Sequence, residues 1–351
     1  MANAKRKQEL NVLNVFLCVL VVFIHAVSDA ITGLPRDSAS FAFLYMIWKA
    51  STVAVPAFLF VSGVKLSLSL AAKPQTFGKF FAGKLLKIYL PYVLYVVLYY
   101  LCFVLKKWFP FEWNALFSYI FIGDLAAHFY FIVILMQFFL LMPLLKWLIA
   151  RYNATFLLGI SLLITLLFGQ FLPDILRALS GGKIEFLYND RLFTSYLFYY
   201  VLGMVVGHKY NAFTAFLKEN KGLIVFFGIF VLILNVGFSY YERKAGVWFG
   251  FSNLVHMTYC MGVLPLLCLV AKSLSKCKFF ESGFFKTANA ASFGVYLMHL
   301  LVMFIINEYL KDFGLLEAFC IRFAVVLTVS FALCMGYARL KLYCLTKKGG
   351  F

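Results

Sequence analysis

The stretch Phe23-Ile-His-Ala-Val-Ser-Asp29 closes an apolar run that begins at Leu10, and it puts an imidazole and a carboxylate where hydrocarbon is expected. At i and i+4, His25 and Asp29 share one helical face. Asp29 is therefore placed to hold the imidazole in one tautomer, the arrangement a general base needs. Asn14, eleven residues earlier, falls within about 20° of that face on a 3.6-residue helix, so the three side chains form one polar stripe. Counted from Leu10, His25 lies about 22 Å along the helix, inside a hydrocarbon layer about 30 Å thick. An interhelical hydrogen bond from His25, with Asp29 simply exposed, is the alternative these residues leave open.

Other polar groups recur at similar depth. "HFYFIVILMQFFLLMPLL" opens on His128 and Tyr130 and carries Gln137 in its middle, and "SFGVYLMHLLV" sets Ser292, Tyr296 and His299 about one turn apart along a single face. "PAFLFVSGV" combines Pro56, which removes a helix hydrogen bond, with Ser62-Gly63, which permits close backbone approach. "GKLLKIYLPY" places Lys84 and Lys87 at i and i+3, a pair suited to phosphate binding or to marking the cytosolic side. Gly203 and Gly207 in "FYYVLGMVVGH" read as a small-residue packing signal. His208, beside Lys209, reads as interfacial, and His256 as a packing or hydrogen-bonding residue.

The elements that must position these groups follow from composition. The chain has 351 residues, 64% hydrophobic, 20% aromatic and only 13% charged. A soluble domain cannot bury that much apolar surface, and runs near the length of a bilayer-spanning helix recur with short polar breaks. The pattern predicts an all-α, polytopic membrane protein, one domain over residues 1–351, with about ten spans. These are 10–29, 41–69 (broken by Pro56), 85–105, 127–149, 155–173, 192–208, 222–240, 251–272, 290–309 and 315–338. Residues 113–122 read as a short interfacial helix, and the first segment, lacking a small-residue cleavage site, as a retained span.

Lys5, Arg6, Lys7, Lys73, Lys79, Lys218, Lys221, Lys276 and Lys278 all fall on one side of such a chain. The positive-inside rule then places both termini in the cytosol. The net charge of +18 is thereby assigned to topology and to anionic membrane lipids, not to nucleic acid. The eight cysteines contain no CxxC pair and read as small buried hydrophobes, so neither a metal site nor a disulfide framework is expected.

Taken in order, "ELNVLNVFLCVLVVFIHA", "FLFVSG", "KLLKIYLPY", "HFYFI" and "SFGVYLMH" resemble five elements of the acyltransferase-3 family of integral membrane acyltransferases, over almost the whole chain. The first is similar to a family pattern L-D-x-L-R followed eleven residues later by histidine, the third to R-x-x-R-x-x-P-x-Y. The resemblance implies that His25 is the catalytic histidine. It further implies that Lys84 and Lys87 stand near the donor phosphates and that Ser62 and Gly63 help form the donor path. Asn14, His128, Tyr130, Tyr296 and His299 then bind substrate or support the site. Two departures stand out: Asn14 occupies the place of the family's arginine, and both arginines of the third-span pair are lysines, which keep charge but lose the bidentate fork.

The expected reaction is O-acetylation: transfer of an acyl group, acetyl first, from acyl-CoA to a hydroxyl of a cell-surface polysaccharide or lipid-linked glycan. No tightly bound cofactor and no metal is expected, since acetyl-CoA is a substrate. Expected partners are acyl-CoA, the glycan acceptor, membrane lipids and polysaccharide-assembly proteins, in a bacterial plasma membrane at the cell envelope. The competing readings are a glycan or lipid transporter (flippase) using the same polar groups, and a non-catalytic membrane subunit. Inverted repeats would favour the transporter, and the chain shows no internal repeat.

Overall fold

A computed structural model describes residues 7–183 and 185–348, so Lys5 and Arg6, which contribute to the orientation argument, lie outside the described residues. Those residues form helices and turns without a strand. By contacts the chain divides into two compact units, one made of residues up to Phe58 together with those from Thr214 onward, the other of Leu59–Phe213.

The first predicted span is realised as α1 (Gln8–Ala26), separated by a single turn residue, Val27, from a short α2 (Ser28–Gly33). The second becomes α3 (Ala39–Ser51) and α4 (Ala54–Ala72). The interruption falls just ahead of Pro56, which leaves the proline in the first turn of α4, where a missing N–H is tolerated.

In the second unit, α5 (Phe77–Lys84) and α6 (Leu90–Leu105) are joined by a π-helical turn at Leu85–Tyr89. The short helix expected over residues 113–122 appears as α7 (Trp113–Ile122), ended by Gly123 at φ 75°, and a side chain there would press on Val133 and the Phe129 backbone. The fourth span bends by 56° between α8 (Tyr130–Leu140) and α9 (Met142–Arg151). The fifth is α10 (Ala154–Leu166), a second π turn at Leu167–Phe171, and α11 (Leu172–Leu179). All three interruptions come directly before a proline, Pro91, Pro143 or Pro173. Each proline deletes one i→i−4 bond and crowds the preceding turn, so the helix widens or bends there.

The expected sixth span, 192–208, takes a mixed form: a 3₁₀ turn at Phe193–Tyr196 leads into α12 (Leu197–His208), and a further 3₁₀ turn at Asn189–Arg191 precedes it. The Gln137 amide donates to the Arg191 carbonyl at 2.8 Å and accepts from the Phe193 N–H at 2.9 Å, while Thr165 Oγ1 accepts from the Phe198 N–H at 2.9 Å. These side chains satisfy backbone groups that a continuous helix would have paired internally. Among the described residues, eight helices are therefore long and apolar enough to cross a membrane, or nine with the bent pair counted as one.

The first unit resumes at Thr214, inside α13 (Tyr210–Glu219), and continues with α14 (Lys221–Ala245), α15 (Ser252–Leu274), α16 (Lys278–Glu281), α17 (Gly283–Asn307) and α18 (Leu315–Lys348). Here Pro265 lies inside α15 without interrupting it. Helices α14 and α15 approach closely at Gly228 and Gly262, where an added Cβ would meet Leu266 or Val231 at 2.8 Å. Tyr45 donates to the Ser239 carbonyl at 3.2 Å and Tyr259 to the Ala50 carbonyl, tying α3 to α14 and α15. Helix α1 packs against α15, α17 and α18.

Candidate functional site

In the first unit the polar stripe of α1 meets a matching row on α17. Gln8 donates to the Phe280 carbonyl. One level up, Asn14 donates to Asn289 Oδ1 at 3.1 Å, Asn289 donates to Asn11 Oδ1 at 3.3 Å, and Asn11 donates to Gln8 Oε1 at 3.1 Å. Cys18 Sγ then donates to the Ser292 carbonyl at 3.4 Å. Seven residues further along both helices, the His25 and His299 rings stand 5.3 Å apart, centroid to centroid. The pairings 18–292 and 25–299 advance together, so α1 and α17 run parallel in register. The interface is a polar seam ending on two imidazoles.

His299 is fully buried. Its Nδ1 lies 2.7 Å from the Tyr296 carbonyl and 3.3 Å from that of Val295. A carbonyl only accepts, so Nδ1 carries the proton and, in the neutral ring, Nε2 carries the lone pair. His25 is half-buried near the end of α1. Tyr296 is buried with its ring 6.1 Å from that of His299, and the Ser292 hydroxyl is taken up by the Ala288 carbonyl of its own helix at 3.0 Å.

Asp29 sits beyond the turn at Val27, and its Oδ2 is 2.7 Å from Arg322 Nη2. Arg322 is 6% exposed; its Nη1 donates to the Ala26 carbonyl at 3.0 Å and its Nε to Asn307 Oδ1 at 2.7 Å. Asn289 and Arg322 are the residues that sequence reasoning passed over. Both carried a signal. Asn289 continues the Ser292–Tyr296–His299 row one turn back, and Arg322 is an ionised side chain inside a predicted span, which is expensive without a partner.

The remaining predicted site residues belong to the second unit. Lys84, half-buried, holds its ammonium 4.4 Å from the Phe139 ring centroid and 5.3 Å from that of Phe80, a cation–π setting. Lys87 is exposed and lies within the π turn that starts after Lys84, so the two do not follow plain α-helical spacing. Ser62 is half-buried. Gly63 is buried against α12, where an added Cβ would stand 2.9 Å from the Met204 nitrogen, and Gly203 and Gly207 of α12 meet the α4 backbone in return. The expected packing role of these glycines is thus present. His128 is 2% exposed, its ring 4.3 Å from that of Phe129 and 6.1 Å from that of Tyr99. The Tyr130 and Tyr196 hydroxyls share a side-chain hydrogen bond.

An open apolar cavity of about 670 Å³ in the first unit is lined by α1, α15, α17 and α18, through Phe16, Val19, Leu267, Phe285 and Phe331 among others. None of the predicted site residues lines it. A family profile described as an acyltransferase domain matches residues 7–339, nearly the whole chain. No curated protein and no solved structure gives a significant match.

Proposed function

Because the chain belongs to the acyltransferase-domain family and is a multi-pass membrane acyltransferase by its apolar helices, we propose that it transfers acetyl from acetyl-CoA to a glycan hydroxyl, with His25 as general base. The observation that carries this reading is the seam: a hydrogen-bonded polar row between two apolar helices, ending on a pair of imidazoles of which one is anchored to backbone. Neutral His25 takes the proton of the sugar hydroxyl as its oxygen attacks the thioester carbonyl. The C–S bond breaks, and the imidazolium returns the proton to the CoA sulfur. Tyr296 and His299 support His25 from α17, and Asn14 belongs to the seam below it.

Lys84 and Lys87 take the donor's phosphates on the cytosolic side, with Ser62 and Gly63 on the donor path. His128 and Tyr130 serve the substrates. The acceptor is a cell-surface or lipid-linked glycan, and the membrane is a bacterial plasma membrane with both termini cytosolic. Apolar walls around the thioester limit its hydrolysis.

The test is transfer of labelled acetyl from acetyl-CoA to cell-envelope glycan by the purified full-length protein in lipid. His25→Ala is expected to lower the rate by about 10²–10⁴-fold. Transfer at the parent rate would sink the general-base role. A parent protein inert with every acyl-CoA tried would leave the transporter or non-catalytic reading in its place.

A further inference from the structure

We propose that Arg322 is a positioning residue that sets the spacing of His25 and His299 by tying together the ends of the two helices that carry them. Its three arms reach three segments. Nη1 holds the carbonyl of Ala26, the last residue of α1 and the one after His25. Nε holds Asn307, the last residue of α17, eight residues or about 12 Å beyond His299. Nη2 holds Asp29 of α2.

A guanidinium this buried in an apolar helix is costly unless its donors are met, and here each arm has an acceptor. The planar fork matters, because a lysine has one point charge with which to serve three directions. The Asp29 side chain is 55% exposed, so its charge is screened and the ion pair by itself contributes little. The arms that bear on the imidazole pair are those to Ala26 and Asn307. The positive group also lies at the C-terminal end of α1, where the helix dipole favours it.

This assignment rests on the general-base reading of His25 for its catalytic consequence, but its structural part stands alone. The experiment therefore uses two readouts on the full-length protein in detergent: hydrogen exchange of residues 23–31 and 303–309, and kcat and KM for acetyl-CoA. Arg322→Gln should raise exchange in both segments at least about tenfold while α14 and α15 keep parent protection. It should lower kcat about 10- to 100-fold, as small misplacements of reacting groups do, with KM within about twofold. Arg322→Lys should fall between, and Asn307→Leu, which removes one arm and keeps the charge, should reproduce part of the loss even if the glutamine variant fails to fold.

The exchange Asp29→Arg with Arg322→Asp restores an ion pair but leaves no donor for Ala26 or Asn307, so kcat should stay low. Full recovery in that double variant, or parent exchange and parent kcat in Arg322→Gln, would overturn the proposal. Loosened helix ends in a protein whose parent shows no transfer would uphold the clamp and defeat the catalytic reading.

Discussion

The two units use membrane-depth polar groups in opposite ways. In the first, side chains of α1 and α17 bond across the helix interface and converge on His25 and His299. In the second, they bond to backbone that proline or tight turns have released. Gln137 and Thr165 hold the 3₁₀ stretch, Tyr92 donates to the Tyr119 and Ile120 carbonyls at 3.1 and 3.0 Å, and Tyr100 accepts from the Glu112 N–H at 2.7 Å. The long helices α14, α15, α17 and α18 of the first unit stay continuous, α15 even at Pro265, although the chain breaks at Val27 and ahead of Pro56, whereas helices of the second unit widen or bend before Pro91, Pro143 and Pro173. A polar residue in a span thus has two physical explanations, a partner helix or a broken backbone. At the seam of the first unit, the partner helix brings two imidazoles together, His25 and His299.

The sharpest way to break this contrast is at Gln137. Gln137→Leu removes an acceptor from the Phe193 N–H and a donor from the Arg191 carbonyl, and leaves both backbone groups short of partners. At about 1–3 kcal/mol for each buried group left unmet, a stability loss of about 2–6 kcal/mol is expected, read as a lower melting temperature in detergent. The kcat of the protein that remains folded should match the parent. If kcat drops tenfold with stability intact, Gln137 belongs to the chemistry and the contrast fails.

The division into two units was not read from the sequence, where one domain was expected, but much of the helical framework was legible, though unevenly. Periodicity and hydropathy located nearly all the long helices, and the residues 113–122 assigned to a short helix are those of α7. The 3₁₀ start of the sixth segment was not legible, because an apolar run of span length says nothing about side chains elsewhere that capture its backbone. For the site, the spacing of Asn14 and His25 gave one half of the seam, and Ser292 and His299 the other. What the sequence could not supply was the pairing, since the register of two helices more than 250 residues apart depends on tertiary packing. Asp29 shows the same limit. Helical spacing put it on the face of His25, but a turn at Val27 intervenes and its Oδ2 meets an arginine of α18, far away in the sequence.

The lysine pair sharpens the contrast at intermediate size. Replacing both Lys84 and Lys87 by Gln removes charge from the second unit without touching the seam. If they bind donor phosphates, KM for acetyl-CoA should rise about tenfold, equivalent to about 1.4 kcal/mol, with kcat within about threefold. Steady-state kinetics at saturating acceptor separates the two constants. A fall in kcat at constant KM would assign the lysines a part in the transfer step, against a division in which the proton is moved at the imidazole pair of the first unit.

The smallest expected effect asks whether the lower seam is scaffold or chemistry, and it turns on Asn14, which stands where the family resemblance expects an arginine. Asn14 donates to Asn289, which in turn donates to Asn11, so the loss of one link leaves the others in place. Interhelical hydrogen bonds in membranes average about 0.6 kcal/mol, and Asn14→Leu should destabilise by about that amount while kcat stays within about twofold. Asn14→Leu with Asn289→Leu should not cost the sum of the two singles, because replacing both partners of a buried bond by apolar groups leaves fewer orphaned atoms than replacing one. Chemical unfolding in detergent measures both effects. A tenfold fall in kcat for Asn14→Leu at parent stability would mean that the amide acts on the reaction itself. The seam would then be functional along its whole length, not only at the imidazole pair that ends it.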